Sequence, residues 1–325
     1  MLLKTDVKKI ISYIIPPIIT VGLCYVLYSG VDFGSIMAGA RRCAPGFVAA
    51  FLACNVLAMI ARGRRWRLQL RAIGANPATG QMNRSVFGTY AVNLVFPRLG
   101  EIWRCTYVSR IASKPFSAVF GTMVADRLSD TLTVGLLCAA TFLMSQSALQ
   151  RFMSSASIST DFLTSGPALL LYGLLAAACI YVVWGRGRFA SAVRGFIGRT
   201  WRGFAVIFKM PRRGEWLLYT VLIWGCYIVS MWMSMLAFPP TAALCALHGP
   251  QCVMVTFVFG SLAMAIPSNG GIGPWQFAIV LALSKLYGLD GTEALTFATI
   301  NLGATTLLTI LLGLYTFAHL ALKKQ

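Results

Sequence analysis

The sequence predicts an all-α chain, a polytopic transmembrane helical bundle of about seven to nine membrane segments with two broken or re-entrant hairpins. Three observations carry this reading. Hydrophobic residues fill 58% of the 325 positions, mean hydropathy is +0.73 and only 11% of residues are charged, against about a quarter in an average soluble domain. Apolar runs near the ~20 residues that a bilayer-crossing helix requires recur along the chain. Two of the apolar stretches are interrupted by proline, glycine or charge.

Taken in order, Lys4, Lys8 and Lys9 precede a first run from Ile10 to Tyr28. That run exceeds the ~7 to 15 residues of a signal-peptide core, so it is read as an uncleaved span despite the small-residue "AGA" at 38 to 40. The next run, Pro45 to Ala61, leads into "RGRRWRLQLRAIG" at 62 to 74. This is a basic flank that sets topology, or one that also gathers anionic lipid at the cytoplasmic mouth. Arg84 to Lys114 is apolar in its first half, broken at Pro97 and charged in its second. Basic loops on both sides predict a hairpin that dips into the membrane from the cytoplasmic face.

Phe116 to Met144 and Pro167 to Trp184 read as spans. Arg186 to Gly214 reads as a cytoplasmic amphipathic helix within the single domain 1–325. At 100° per residue, Phe189, Val193, Phe196, Thr200, Phe204 and Phe208 share one arc, while Arg188, Arg194, Arg199, Arg202 and Lys209 share the other. Trp216 to Phe238 is a further span and Pro239 to Pro250 an outer loop. Gln251 to Leu286 contains "AIPSNGGIGPWQ" (265 to 276), through which no ordinary helix runs. It is expected to enter and return from the outer face as two helices or a re-entrant pair. Ala294 to Leu320 closes the set beside Lys323 and Lys324.

The formal charge of +19 would suggest nucleic acid in a soluble protein, but here the basic residues cluster in loops on one side, as the positive-inside rule expects. Nucleic acid is therefore excluded as a partner, and the chain is placed in the inner (cytoplasmic) membrane with both termini cytoplasmic. Arg41 and Arg42, in the first outer loop, are the exception. The nine cysteines are scattered and mostly lie within spans. "CALHGPQC", Cys245 to Cys252 around His248, lacks a fourth ligand for a metal, and a disulfide there remains open. No cofactor and no metal are expected.

Glu101, Asp126 and Asp130, with Arg98, Arg104 and Arg127, fall in or near membrane segments. Each costs about 2.5 to 3.5 kcal/mol at a helix centre. Arg98, Glu101 and Arg104 follow i,i+3 spacing and share adjacent faces of one helix. Asp126 and Asp130, at i,i+4, make one face of another helix acidic and invite an arginine of the hairpin as partner. Two readings stay open: an ion-pair lock that holds the hairpin, or surplus guanidinium that binds an anionic headgroup through its planar fork. The glycine turn could hold an anion on exposed amides or act as a hinge, with Pro274 suited to the first turn of the next helix.

"NLVFPRLGEIWRCTYVSR", "VADRLSDTL" and "AIPSNGGIGPWQ" together resemble the motifs of the lysylphosphatidylglycerol synthase transmembrane region, a flippase-like integral membrane family, in the expected order across essentially the whole chain. The resemblance implies an inner-membrane domain with two re-entrant elements that moves lipid between leaflets. By position it assigns substrate contact to Asn93, Pro97, Arg98, Glu101 and Arg104, to Asp126, Arg127 and Asp130, and to Gly270, Gly271 and Gly273. Gln276, after the glycine turn, is a further candidate substrate contact and stands where many relatives have Glu, and Asp126 stands where they often have Glu. The founding members append an aminoacyl-transferase domain, and a stand-alone membrane form without it is expected here.

The expectation is thus a stand-alone lipid translocase, not an enzyme, that moves an anionic phospholipid or a polyprenyl-phosphate-linked lipid. A membrane-embedded transferase acting on lipid-linked sugar and a scaffold for a separately encoded lipid-modifying enzyme are the alternatives. A homo-oligomer is compatible with each. No nucleotide-binding motif is present, so movement would be facilitated or ion-coupled.

Overall fold

The computed structural model describes residues 22–25, 27–28, 33–145, 184–185, 187, 191, 210, 212–266 and 268–322. The first run, Ile10 to Tyr28, lies largely outside these residues. So do the run Pro167 to Trp184, the amphipathic stretch Arg186 to Gly214 and the terminal lysines.

Among the described residues there is no strand. The helices are α1 (Phe33–Arg42), α2 (Pro45–Ala72), α3 (Thr79–Val95), α4 (Leu99–Ile111), α5 (Phe116–Met144), α6 (Arg213–Ala237), α7 (Pro239–His248), α8 (Pro250–Ala263), α9 (Pro274–Leu281, extended by a π-helical turn to Leu286) and α10 (Gly291–Leu322). Four of them, α2, α5, α6 and α10, are long and apolar enough to cross a membrane. The pair α7–α8 makes a fifth if counted as one span bent by 119°. The predicted count of about seven to nine segments is met to that extent.

α2 and α6 run antiparallel over their whole length and form the frame. At one end the Ala44 amide donates to the Ala237 carbonyl (2.9 Å). Midway Asn55 Nδ2 donates to Ser230 Oγ (2.6 Å), and toward the other end Arg65 reaches Thr220. Interhelical side-chain hydrogen bonds of this kind hold membrane helices together where no hydrophobic driving force acts between them.

Two features depart from the sequence expectation. "PPTAALCALH", expected as outer loop, forms α7, because its prolines sit in the first turn where a missing amide is harmless. The break to α8 falls on Gly249, whose φ of 62° and ψ of −151° only glycine adopts readily. Arg41 and Arg42, the exception to the charge rule, occupy the last turn of α1, where cations favour the helix dipole. Arg42 pairs there with Glu293 at the start of α10 (2.9 Å).

Both interrupted segments form helical hairpins. α3 starts beside the α2 C-terminus, where Thr79 accepts from Arg67, and α4 returns toward the same end. α8 starts beside the α5 C-terminus, where Gln251 Nε2 donates to the Met144 carbonyl (3.2 Å), and α9 returns toward α10's start. The hairpins therefore enter from opposite ends of the bundle, and their tips meet. Arg98 Nη2 donates to the Ala265 carbonyl (2.7 Å), Asn269 Nδ2 donates to the Val95 carbonyl (3.4 Å), and Gly270 lies against the Leu94 side chain.

Candidate functional site: a buried charge layer beneath the hairpin tips

The first hairpin turns because of local chemistry. Phe96, which precedes Pro97, is extended at φ −123° and ψ 105°, since the proline ring disfavours the helical region for its predecessor. Arg98 then adopts the left-handed conformation at φ 61°, a strain of order 1–3 kcal/mol for a non-glycine residue. Asn93 compensates in part. Its Oδ1 accepts the Gly100 amide (2.8 Å), satisfying one of the four free amides of α4 as a capping side chain would. A Cβ at Gly100 would run into the Thr89 carbonyl and Asn93, so only glycine lets the two arms approach this closely.

Helical phase sorts the arginines of α2. Arg62, Arg65 and Gln69, at i, i+3 and i+7, face inward and are buried. Arg65, with a side chain 0% exposed, sets Nη2 2.8 Å from Asp126 Oδ1 and 2.6 Å from Asp130 Oδ1. Its Nε donates to Asp126 Oδ1 (3.0 Å) and its Nη1 to Thr220 Oγ1 (3.4 Å). Arg62 Nη1 lies 2.5 Å from Asp130 Oδ2 and 3.9 Å from Asp126 Oδ2. Two arginines and two aspartates thus form a neutral layer between α2 and α5. The expectation that an arginine of the hairpin pairs with Asp126 and Asp130 is corrected here. The partners come from the RGRRWR stretch, because Arg62 and Arg65 are a helical turn apart and so are the aspartates.

Arg104 has no such neutralisation. It is 0% exposed, and its guanidinium carbon sits 3.8 Å from the centroid of the Trp66 ring. None of its Nε, Nη1 and Nη2 atoms has a hydrogen-bond partner among the described residues. Cation–π contact contributes about 2 kcal/mol or more when desolvated, while burying an ion costs several kcal/mol. The indole therefore offsets only part of the desolvation. Trp66 is fixed in turn by Nε1 donating to Thr122 Oγ1 (3.1 Å). Asp126 Oδ2, which also lacks a hydrogen bond, Arg127 and Arg62 act on Arg104 electrostatically.

A half-buried polar group adjoins this layer. Glu101 Oε2 accepts from Asn93 Nδ2 (3.3 Å), and Glu101 Oε1 lies 3.7 Å from Arg127 Nη2. The Tyr90 and Tyr227 hydroxyls meet at 3.2 Å.

The sequence-selected residues therefore fall into three places. Asp126 and Asp130 belong to the ion-pair layer, and Glu101, Arg104 and Arg127 to the polar region next to it. Asn93, Pro97, Arg98, Gly270, Gly271 and Gly273 build the hairpin tips, the three glycines at φ of 62°, 88° and 90°. Gln276 stands apart. Its amide donates to the Tyr28 hydroxyl (2.5 Å) and to Thr299 (3.4 Å), and its Oε1 accepts the Gly273 amide (3.2 Å). It ties α9 to α10 and the first run. Sequence reasoning missed Arg62, Arg65, Trp66, Tyr90 and Tyr227. The i,i+3 pair inside "RGRRWR" was the available signal. No group of His, Cys, Asp and Glu that could hold a metal occurs among the described residues. Cys245 and Cys252 are free thiols 3.9 Å apart.

The profile of the family described as lysylphosphatidylglycerol synthase TM region matches residues 13–313. Among curated proteins, the chain is similar to glycosyltransferase AglD of Haloferax volcanii, 24% identical over 303 residues that cover 83% of this chain and 48% of the relative. The chain thus spans about half the length of that relative. No solved structure matches it significantly. The expectation that the chain is not an enzyme is overturned by the match to a protein named a glycosyltransferase. With its family profile, its apolar spans and its opposed hairpins together, the chain belongs to the lysylphosphatidylglycerol synthase transmembrane-region family, and its function is a membrane-embedded, lipid-related one.

Proposed function

We propose that this chain is a lipid translocase whose buried Arg104 receives the phosphate of an anionic phospholipid or a polyprenyl-phosphate-linked lipid as the headgroup crosses the bilayer. The observation that carries this reading is a fully buried guanidinium with three unpartnered nitrogens. A planar fork with free donors matches phosphate oxygens, and the ligand's charge would supply the hydrogen-bonded neutralisation that no described side chain gives. Opposed hairpins that meet within the bundle support it, since irregular backbone at membrane depth is tolerated where it is enclosed by protein or lines a cavity. In this reading Arg127 and Glu101 flank the headgroup path and the acyl or polyprenyl tails stay in lipid. The protein sits in the cytoplasmic membrane with both termini cytoplasmic. Its partners are membrane lipids, a separately encoded lipid-modifying enzyme and further copies of itself, and nucleic acid is not among them.

One observation favours a second reading, the similarity to a protein named a glycosyltransferase. There the same arginine would present a lipid phosphate for sugar transfer rather than carry it across.

Proteoliposomes distinguish the two. Labelled anionic lipid should exchange between leaflets faster with the wild type than in empty vesicles, and Arg104→Gln should slow that exchange at least about tenfold, as expected for a charge-assisted contact. Exchange no faster than in empty vesicles for every phospholipid and polyprenyl phosphate tried would sink translocation. Sugar transfer onto the lipid in the same vesicles, lost in Arg104→Gln, would establish the second reading in its place.

A further inference from the structure

The outward face of α2 carries a second cationic arrangement. At 100° per residue Arg64, Arg67 and Arg71 fall within an arc of about 60°, on the side of the helix away from Arg62 and Arg65. With Thr79, Arg212 and Glu215 they line an open cavity of about 200 Å³ at the end of the bundle where α3 and α6 begin.

The arrangement within it is unusual for a solvated basic loop. Arg67 Nη2 and Arg71 Nε both donate to the single Asn76 Oδ1, each at 3.1 Å, and Arg67 Nη1 donates to Thr79 Oγ1 (2.9 Å). One neutral amide oxygen therefore holds two like charges together, while the buried Arg67 Nε has no partner among the described residues. Glu215, the one carboxylate among the described residues that line the cavity, lies 3.4 Å from Arg212. α6 opens at this point with no side-chain cap on its first amides, so the positive end of its dipole adds to the field. Four guanidinium groups against one carboxylate leave a formal surplus of three positive charges.

We propose that this cavity is a phosphate-binding site at the membrane surface, separate from Arg104, that takes a phosphate monoester or diphosphate group. The guanidinium forks of Arg67 and Arg71 grip the anion, Arg64 and Arg212 close around it, and Glu215 is the internal counter-ion that the ligand displaces from Arg212. The site rests on its own geometry and holds whether or not the chain moves lipid.

The test uses inorganic pyrophosphate, titrated calorimetrically at physiological salt into the full chain in nanodiscs of phosphatidylcholine. Arg67→Gln combined with Arg71→Gln should weaken binding at least about tenfold. Glu215→Gln should tighten it about threefold, a gain that a merely structural role would not produce. Both variants should keep the wild-type helical circular dichroism. A repeat in nanodiscs containing phosphatidic acid separates the sources of the phosphate. Competition there identifies a lipid headgroup as the occupant, and unchanged binding identifies a soluble phosphorylated compound. Equal pyrophosphate affinity in the wild type and the double variant, with both folded, would overturn the site. So would the absence of binding to the wild type in phosphatidylcholine. Leaflet exchange of Arg104→Gln is read separately, so failure here and failure of translocation remain distinguishable.

Discussion

Arg65 and Arg104 are both 0% exposed, yet their surroundings are opposite. All three nitrogen positions of Arg65 find acceptors on Asp126, Asp130 or Thr220. Those of Arg104 find none among the described residues, and an aromatic face takes the acceptors' place. Burial alone therefore does not distinguish a charge that the protein neutralises from one that it leaves unpaired among the described residues. What separates them is whether the protein itself completes the ion's hydrogen bonds. A satisfied pair holds α2 against α5, whereas an unsatisfied cation keeps its donors available.

The largest expected effect comes from breaking the satisfied side. Arg65→Met leaves two buried carboxylates undercompensated and should lower unfolding stability by about 3–5 kcal/mol, read from thermal or denaturant unfolding in detergent. Arg104→Met, by contrast, removes a desolvated charge without orphaning a partner, and its stability should stay within about 1 kcal/mol of the wild type or rise. Equal losses in the two variants would erase the comparison. A smaller effect is expected at Trp66. Trp66→Phe keeps an aromatic face but loses the bond to Thr122, which should lower stability by about 1 kcal/mol and weaken the Arg104 contact. The smallest belongs to the exposed Arg42–Glu293 pair. Arg42→Ala should change stability by less than about 1 kcal/mol, and added salt should shrink that difference, while the cost of Arg65→Met stays constant with salt.

Four membrane spans, α2, α5, α6 and α10, were legible because length and hydropathy decide them, and the break at Pro97 was legible because proline leaves few alternatives. The acidic pair on α5 could also be read from its i,i+4 spacing. Its partners could not, since the choice between Arg62 and Arg104 depends on how helices far apart in sequence rotate against one another. Once α2 turned Arg62 and Arg65 toward α5, Arg104 was left against Trp66. α7 escaped notice because two prolines at its start resemble loop punctuation, although the first helical turn tolerates them. The bonds of Gln276 to Tyr28 and Thr299 could not be read either, because they involve segments that no local pattern brings together.

The tip-to-tip contact also bears on how the chain assembles. The Val95 carbonyl is met by Asn269 and the Ala265 carbonyl by Arg98, partners 174 and 167 residues away. Each hairpin thus supplies the donor that the other's interrupted backbone lacks, and lipid tails could not supply one at membrane depth. Because synthesis runs from the N-terminus, the first hairpin is made and inserted long before its counterpart exists. The tip-to-tip bonds can form only after the second hairpin has been made, so the first tip is completed from the C-terminal side.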